Sequence, residues 1–345
     1  MIAIVILNWN GKQMLRQFLP SVIAHSAGEG EVIVADNGSD DGSAEMLREE
    51  FPTVRLLCLE QNFGFAEGYN VAFERLRQLM ERGETPRYDY YLLLNSDVET
   101  TLGWLVPLRE YMDAHPDCAA CQPKIRACYA RERFEYAGAS GGYMDRDGYP
   151  FCRGRVFALA EEDRGQYDDV ADIFWATGAA LMVRPEDWHG NGALDGRFFA
   201  HNEEIDFCWR LRARGRRVVC IPQSVVFHVG GGTLPQDNPR KTYLNFRNNL
   251  TMLFKNLPDA QLRSVMRRRT LLDWVAALQF LAKGDVANMK AIMRARRDFK
   301  AWRKDFEADR QENLARTTVN DIPEIRHLSL IWNYYVRGRK RFSEL

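Results

Sequence analysis

The stretch IAIVILNWNG, residues 2–11, decides the class of fold. Its first six residues are apolar and rich in isoleucine and valine, which is typical of a strand buried on both faces of a parallel sheet. The polar residues 8–11 end that strand, and a helical pattern follows over residues 12–24. A buried strand that leads directly into a helix predicts the first β-α unit of an α/β protein.

The same alternation continues along the chain. Apolar runs at residues 31–35, 54–59 and 90–94 predict three more strands, with helical patterns between them. The predicted fold class is therefore α/β, with a Rossmann-like, mostly parallel sheet and helices on both faces. Ligands bind at the carboxyl ends of the strands in such sheets. Polar clusters follow these ends, at residues 8–10, 36–41, 62 and 95–97.

The composition is that of a globular protein with an uneven charge distribution. Of 345 residues, 46% are hydrophobic and 27% are charged, which argues against a disordered or fibrous chain. The net charge is zero, so we expect no nucleic-acid partner. Residues 258–345 nevertheless carry 19 Lys and Arg against 11 Asp and Glu, a net charge of +8. We therefore predict a body, residues 1–240, and a basic, helical C-terminal region, residues 241–345.

The cysteines and the start of the chain bear on its location. The seven cysteines are an odd number, and Met1 leads directly into the first strand. We therefore expect reduced thiols, no secretion signal and a cytoplasmic protein. Cys118 and Cys121 have the spacing of a metal-ligand pair, with Cys128 as a third thiol, so a zinc site is an alternative to buried thiols. No apolar run reaches the roughly 18–20 residues of a membrane-spanning helix.

Two acidic clusters are candidates for chemistry. Asp97, in Asn95-Ser96-Asp97, follows an apolar strand. A carboxylate there can hold Mg²⁺ or Mn²⁺, which also bind phosphate oxygens, although an acidic turn is the simpler alternative. Asp36 ends the second strand and can accept a hydrogen bond from a base or a ribose, or form an Asx turn.

The second cluster lies in residues 201–210, HNEEIDFCWR. Three carboxylates fall within four residues, and in a helix Glu203 and Asp206 share a face while Glu204 points elsewhere. Crowded carboxylates have raised pKa values, which suits a general base. The alternative is that the acids only favour the positive end of the helix dipole.

These segments resemble glycosyltransferases of family 2, and most closely rhamnosyltransferase-type enzymes of bacterial cell-surface polysaccharide assembly. The resemblance covers roughly residues 1–255 and rests on five segments in order: ILNWNG (6–11), DNGSDDG (36–42), NFGFAEGYN (62–70), LLNSDV (93–98) and FAHNEEIDFCWR (199–210). It implies a GT-A fold and transfer of a sugar, with inversion, from a nucleotide diphosphate to an acceptor hydroxyl.

The resemblance also implies roles for individual residues. Glu204 matches the catalytic base, with Glu203 as the neighbouring acid, and Asp97 matches the last acid of the triplet that holds Mg²⁺ or Mn²⁺. Two positions depart from the usual pattern: Asn95 replaces the first Asp of the triplet, and Glu204 replaces Asp. The expected donor-binding residues are Asn8, Asp36, Asn62, Gly64, Ala66, Asn70, Ser96, His228 and Arg247.

The resemblance implies partners as well. We expect a dTDP- or UDP-sugar donor that carries rhamnose or a similar hexose, and a saccharide or lipid-linked saccharide as acceptor. Arg267, Arg268 and Arg269 precede an amphipathic stretch, residues 271–281, which predicts peripheral contact with the inner face of the cytoplasmic membrane. The alternatives are that this stretch packs on the body or forms a homodimer contact.

Two other classes of function remain open at this stage. A sugar-phosphate nucleotidylyltransferase also uses strand-end acids, but it needs a glycine-rich, basic loop after the first strand, and residues 8–12 match that only weakly. A non-catalytic scaffold or sugar-binding module needs neither acidic cluster. The sequence therefore favours the glycosyltransferase.

Overall fold

Within the residues that the structure describes, a ten-stranded sheet and a second, five-stranded sheet form the β-structure. The computed structural model describes residues 1–230 and 238–345, so Gly231 and Gly232, in the glycine run after His228, lie outside the described part. The strands are β1 (Ile2–Asn8), β2 (Gly30–Asp36), β3 (Arg55–Cys58), β4 (Tyr90–Leu94), β5 (Val98–Thr100), β6 (Cys118–Ala127), β7 (Ala130–Phe134), β8 (Gly142–Asp145), β9 (Pro150–Cys152), β10 (Arg155–Val156), β11 (Leu159–Ala160), β12 (Ala171–Asp172), β13 (Ala180–Val183), β14 (Arg217–His228) and β15 (Ile325–Arg326).

Helices cover the large sheet and make up most of the C-terminal region. They are α1 (Lys12–Ser26), α2 (Ser43–Glu50), α3 (Gly64–Glu81), α4 (Leu105–Ala114), α5 (Pro185–Gly190), α6 (Glu203–Ala213), α7 (Pro239–Asn256), α8 (Asp259–Ala282), α9 (Val286–Trp302) and α10 (Glu307–Ala315). In the described residues, no helix is both long and apolar enough to cross a bilayer.

The large sheet confirms the predicted α/β class and adds detail to its topology. Its main path is β12-β14-β6-β13-β4-β1-β2-β3, and β5 and β7 complete the ten strands by pairing with β14 and β6. The strands β1 to β4 pair in parallel, as expected from the β-α alternation. Beyond β4 the sheet is mixed, because β13 runs antiparallel to both β4 and β6. Residues 217–228 form one strand, β14, with an irregularity between Ile221 and Val225.

Side chains of the central strands alternate between two hydrophobic cores. In β1, Ile2, Ile4 and Ile6 contribute to the core beneath α1, α2 and α4. Ala3 and Val5 contribute to the opposite core, which includes residues of α3, α6 and α7. This two-residue period is that of a strand buried on both faces. The cysteines fit this packing: all seven are free thiols and only Cys58 is exposed.

The C-terminal region packs on the body at several points. The strand β15 adds to β8 of the small sheet, and the Lys255 ammonium at the end of α7 bonds to the buried carboxylate of Asp206 in α6 at 2.9 Å. The division into residues 1–240 and 241–345 stays a prediction. The helix α7 lies in the second segment but contacts α6 of the body.

Candidate active site

The carboxylate of Asp97 and the imidazole of His228 meet at the edge of the large sheet. The strand β5 pairs antiparallel with the end of β14, which places His228 opposite Val98. The backbone N–H of Val229 donates to the carbonyl of Asp97 at 3.1 Å. As a result His228 Nε2 lies 3.1 Å from Asp97 Oδ1, and both side chains are buried.

A second carboxylate, that of Glu135, faces the other ring nitrogen of His228. Glu135 Oε2 lies 3.4 Å from His228 Nδ1. Burial lowers the pKa of His228, but hydrogen bonds and charge attraction from Asp97 and Glu135 outweigh it and raise the pKa to about 10. Burial alone would raise the pKa of Asp97. The bond to His228 outweighs this effect, so the pKa of Asp97 is lowered overall. The pocket is therefore arranged to hold positive charge.

This arrangement fits a divalent cation that is shared with a phosphate ligand. Asp97 offers an oxygen and His228, when neutral, offers a nitrogen, so cation binding would displace a proton. Mg²⁺ is usually held by one or two protein carboxylates, with waters and phosphate oxygens completing its shell. In the part of the chain described, no group of three or more His, Cys, Asp or Glu side chains is placed to hold a metal alone. A bound diphosphate would have to supply further ligands.

Asn8 and Asp36 form a polar pair at the carboxyl ends of β1 and β2. Asn8 Nδ2 donates to Asp36 Oδ1 at 3.0 Å and to Ser39 Oγ at 3.1 Å. Asn8 Oδ1 is buried and accepts no hydrogen bond from any described residue. A Cβ on Gly11 would lie 2.5 Å from that oxygen and 3.6 Å from Ser96 Oγ. The four residues Asn8, Asp36, Ser96 and Gly11 thus line one polar corner, with an acceptor left for a ligand.

The turn that begins α3 contacts the loop that leads to α6. Asn62 Oδ1 accepts from the Gly64 N–H at 2.8 Å. The N–H groups of Phe65 and Ala66 point to the carbonyl of Phe199, at 2.9 and 3.4 Å. Gly64 has φ +77°, and a Cβ there would lie 2.6 Å from the Phe199 ring. Glycine is therefore required at residue 64 for the close approach of the two segments.

The loop before α6 holds an unusual backbone conformation. Phe199, His201 and Asn202 have φ values of 67°, 73° and 70°, a region that non-glycine residues rarely occupy. Asn248 of α7 compensates: its Nδ2 lies 3.0 Å from the carbonyl oxygen of Phe198 and 2.8 Å from those of Ala200 and His201. Strained backbone that neighbouring contacts hold in place is common at functional sites.

Glu203 and Glu204 open α6 at the end of this loop. Burial raises the pKa of Glu204 to about 7. Burial and the charge of Glu204 raise the pKa of Glu203 well above its usual value. An Oε2 atom of each is buried without a hydrogen-bond partner among the described residues. Glu203 is almost fully buried, whereas Glu204 keeps partial access to solvent. Glu204 therefore has the environment of a general base poised near neutral pH.

Two of the expected donor-binding side chains support loops instead of pointing into open space. The amide of Asn70 exchanges hydrogen bonds with the backbone of Leu194, at 2.8 and 3.1 Å. Arg247 lies over the ring of Trp302 and donates to the carbonyl of Phe198 at 3.3 Å. Donor binding by Asn70 and Arg247 stays a prediction.

The sequence pattern did not indicate the roles of three residues of this region, Glu135, Phe199 and Asn248. Glu135 carries no motif, and only the pairing of distant strands brings it to His228. Phe199 and Asn248 lie within segments that the resemblance covers, FAHNEE and NFRNN. Their roles depend on left-handed backbone and on the packing of α7, which no local sequence pattern indicates.

Known proteins resemble this chain in sequence. Residues 3–154 match the family model described as Glycosyl transferase family 2. The chain is 27% identical over 219 residues to the N-acetylglucosaminyl-diphospho-decaprenol L-rhamnosyltransferase of Mycobacterium tuberculosis, an overlap of 62% of this chain and 71% of that protein.

Solved structures resemble the fold over most of the chain. Similarity to GalNAc-T7 with UDP, GalNAc and Mn²⁺ has a TM-score of 0.59 at 13% identity, over 89% of this chain and 56% of that chain. Similarity to S. aureus TarS 1-349 with UDP-GlcNAc has a TM-score of 0.54 at 14% identity, over 91% and 88%. At these identities the likeness establishes the GT-A fold alone. The family model over residues 3–154 and the relative from M. tuberculosis add that this chain is similar in sequence to glycosyltransferases of family 2.

Proposed function

We propose that this protein is an inverting hexosyltransferase that moves a sugar from a nucleotide diphosphate to an acceptor hydroxyl. The observation that carries the proposal is Glu204, a partly exposed residue at the start of α6 whose carboxyl pKa is raised by burial to about 7. It lies at the end of a loop hydrogen-bonded to the turn at Gly64 and Phe65. An acceptor hydroxyl is a weak nucleophile, so a base must take its proton as it attacks.

One group serves the attacking hydroxyl, and another serves the leaving diphosphate. Glu204, when ionised, accepts the proton of the acceptor hydroxyl while that oxygen attacks the anomeric carbon. On the opposite face the bond to the diphosphate breaks, and direct displacement inverts the configuration. Asp97 and His228 would hold a divalent cation, which neutralises the charge that develops on the leaving diphosphate. The structure of GalNAc-T7, which resembles this fold and was crystallised with Mn²⁺, supports this assignment.

The polar corner of Asn8, Asp36 and Ser96 is our candidate nucleoside site. The buried Asn8 Oδ1 without a partner can accept from an N–H or hydroxyl group of the ligand. The glycine turn at residue 64 holds the donor next to the loop that carries Glu204. Asn62 and Ala66 contribute through this turn, Asn62 by its side chain and Ala66 by its backbone N–H.

The name of the M. tuberculosis relative suggests the substrates. We propose that the donor is a dTDP- or UDP-linked rhamnose or similar hexose, and that the acceptor is a lipid-linked saccharide. The step belongs to the assembly of a cell-surface polysaccharide. We place it on the cytoplasmic side of the membrane. The match of residues 3–154 to the family 2 model favours this reaction over nucleotidyl transfer and over a scaffold role.

A thermal-shift screen of dTDP-, UDP- and GDP-sugars with Mg²⁺ or Mn²⁺ tests the proposal. A true donor raises the melting temperature by mass action, and the metal increases that shift. When the acceptor is added together with the same sugar nucleotide, the protein should then release nucleoside diphosphate. Release of pyrophosphate from a nucleoside triphosphate and a sugar phosphate would instead identify a nucleotidylyltransferase and overturn the proposal.

A further inference from the structure

The helix α8 exposes an apolar face to solvent. The large apolar residues on this face are Leu271, Trp274, Val275, Leu278 and Leu281, with exposed fractions of 67%, 47%, 53%, 59% and 46%. Their spacing of three and four residues places them on one side of the helix. The alternative that residues 271–281 pack on the body is therefore contradicted for these side chains. An exposed apolar patch of this kind marks an interaction surface.

The opposite face of α8 is buried and polar. Asp273 is fully buried, and its carboxylate accepts from Arg269 at 3.2 Å and from Arg296 of α9. Ala277 continues the buried face. These contacts fix the rotation of the helix, so the apolar face cannot turn inward without breaking buried ion pairs. Its exposure is therefore a stable property of the fold.

Basic residues flank the apolar face on the same helix. Arg263 and Arg267 precede it at one end and Lys283 follows it at the other, and all three are exposed. None of the three takes part in an ion pair within residues 1–230 and 238–345. From residue 260 to residue 284 the only acid is Asp273, which is buried. The surface thus combines apolar side chains with unopposed positive charge.

We propose that this face of α8 docks on a bilayer of anionic lipid. Arg263, Arg267 and Lys283 would contact lipid phosphates, and the apolar side chains would enter the region below the headgroups, with Trp274 at the boundary. A second copy of this chain fits the surface less well. A symmetric contact places the same face on both partners, so these cations would oppose one another with no acid between them.

Docking would place the bilayer on the face of α8 that points away from α7 and from the loop before α6. Arg269, on the buried face of α8, donates to the side chain of Asn249 in α7. Nδ2 of the same Asn249 side chain lies 3.5 Å from Oδ1 of Asn202, the residue directly before Glu203. Docking would therefore hold this loop at a fixed distance from a membrane-bound acceptor, with α8 between the loop and the bilayer. Only this last step rests on the proposed function; the docking itself is independent of it.

Co-sedimentation with vesicles tests the proposal without any substrate. The full chain should sediment with vesicles rich in phosphatidylglycerol, much less with phosphatidylcholine alone, and less at high salt. The double variant Trp274→Ser/Leu278→Ser should lower the partition coefficient at least about tenfold. The variant Arg263→Gln/Arg267→Gln should weaken binding to the anionic vesicles by a similar factor. Leu102→Ser, at an 86% exposed leucine in another part of the fold, is the matched control and should bind normally.

The outcomes separate docking from its alternatives. Equal recovery of the unaltered protein in the supernatant with and without anionic vesicles would overturn the proposal. So would a dimer in light scattering that dissociates in the Trp274→Ser/Leu278→Ser variant, because the face would then belong to a second copy. Donor binding in the thermal-shift screen is measured without vesicles. Its failure would therefore count against the proposed function and not against docking.

Discussion

The side-chain amide of Asn248 donates to the carbonyl of His201 across a distance of 2.8 Å. The two residues are 47 positions apart, and the bond joins α7 to the loop that ends in Glu203 and Glu204. The same amide nitrogen also reaches the carbonyls of Phe198 and Ala200. The loop occupies left-handed backbone at three non-glycine residues, so its shape depends on outside contacts of this kind.

Replacing Asn248 should therefore impair turnover more than substrate affinity. Asn248→Ala leaves buried carbonyls without a donor, which should cost about 1–3 kcal/mol of stability. Misplacement of Glu204 should lower kcat by about 10–100-fold, with little change in KM for the donor. Asn248→Asp, which has nearly the same shape but cannot donate when ionised, should be at least as impaired.

The matched control for this prediction is Asn313→Ala. It also removes a buried amide, whose Nδ2 donates to Asn256 at 3.1 Å, but it does not touch the loop. It should lower the melting temperature and leave kcat nearly unchanged. Equal loss of kcat in the two variants would mean that Asn248 contributes only general stability.

The general base should appear directly in the pH dependence of the reaction. Glu204 must be ionised to accept a proton, and its pKa is raised to about 7. We expect kcat/KM to fall about tenfold per pH unit below that value and to level off above it. Glu204→Gln should lower turnover by about 10²–10⁴-fold at pH 8 while the donor still binds. If Glu203→Gln is the inactive variant and Glu204→Gln is not, the roles are reversed.

The same raised pKa predicts how stability depends on pH. The folded state holds the proton on Glu204 more tightly than the unfolded state, where the pKa is about 4.5. The unaltered protein should therefore lose stability as the pH rises from about 4.5 through 7. Glu204→Gln carries no such penalty, so at pH 8 it should be more stable than the unaltered protein by on the order of 1–3 kcal/mol.

Chemical denaturation at several pH values measures this difference. The gap between Glu204→Gln and the unaltered protein should shrink as the pH falls and vanish below about pH 4. A constant gap across the range would show that the substitution acts through packing and not through the buried charge.

The metal role of Asp97 can be tested by calorimetry of donor binding. Asp97→Asn removes the negative charge next to His228, so Mn²⁺ should no longer strengthen binding of the sugar nucleotide. Glu99→Gln is the matched control, because Glu99 lies two residues away and pairs with Arg131 at 2.6 Å instead. Full turnover after removal of divalent ions with a chelator would contradict the assignment.

The local sequence pattern was sufficient to predict the parallel half of the sheet and the positions of its polar clusters. Apolar runs and the residues that follow them define where strands end, and this placed Asp36 and Asp97 at one edge. The acidic start of α6 was also visible, because its carboxylates crowd within four residues.

Contacts between distant segments could not be predicted in this way. His228 reaches Asp97 because β5 pairs with β14, and Glu135 joins them from the segment after β7. The pattern of residues 271–281 showed that one face of this stretch is apolar but not that this face points outward. That orientation follows from the buried ion pairs of Asp273 with Arg269 and Arg296.

The most direct test of the central claim is the anomeric configuration of the product, measured by proton NMR. The assay uses the sugar nucleotide selected by the thermal-shift screen and a saccharide acceptor. We predict a single product whose anomeric configuration is inverted relative to the donor, formed by the unaltered protein and nearly absent with Glu204→Gln. A product with retained configuration, or inverted product formed at full rate by Glu204→Gln, would contradict direct displacement with Glu204 as the base.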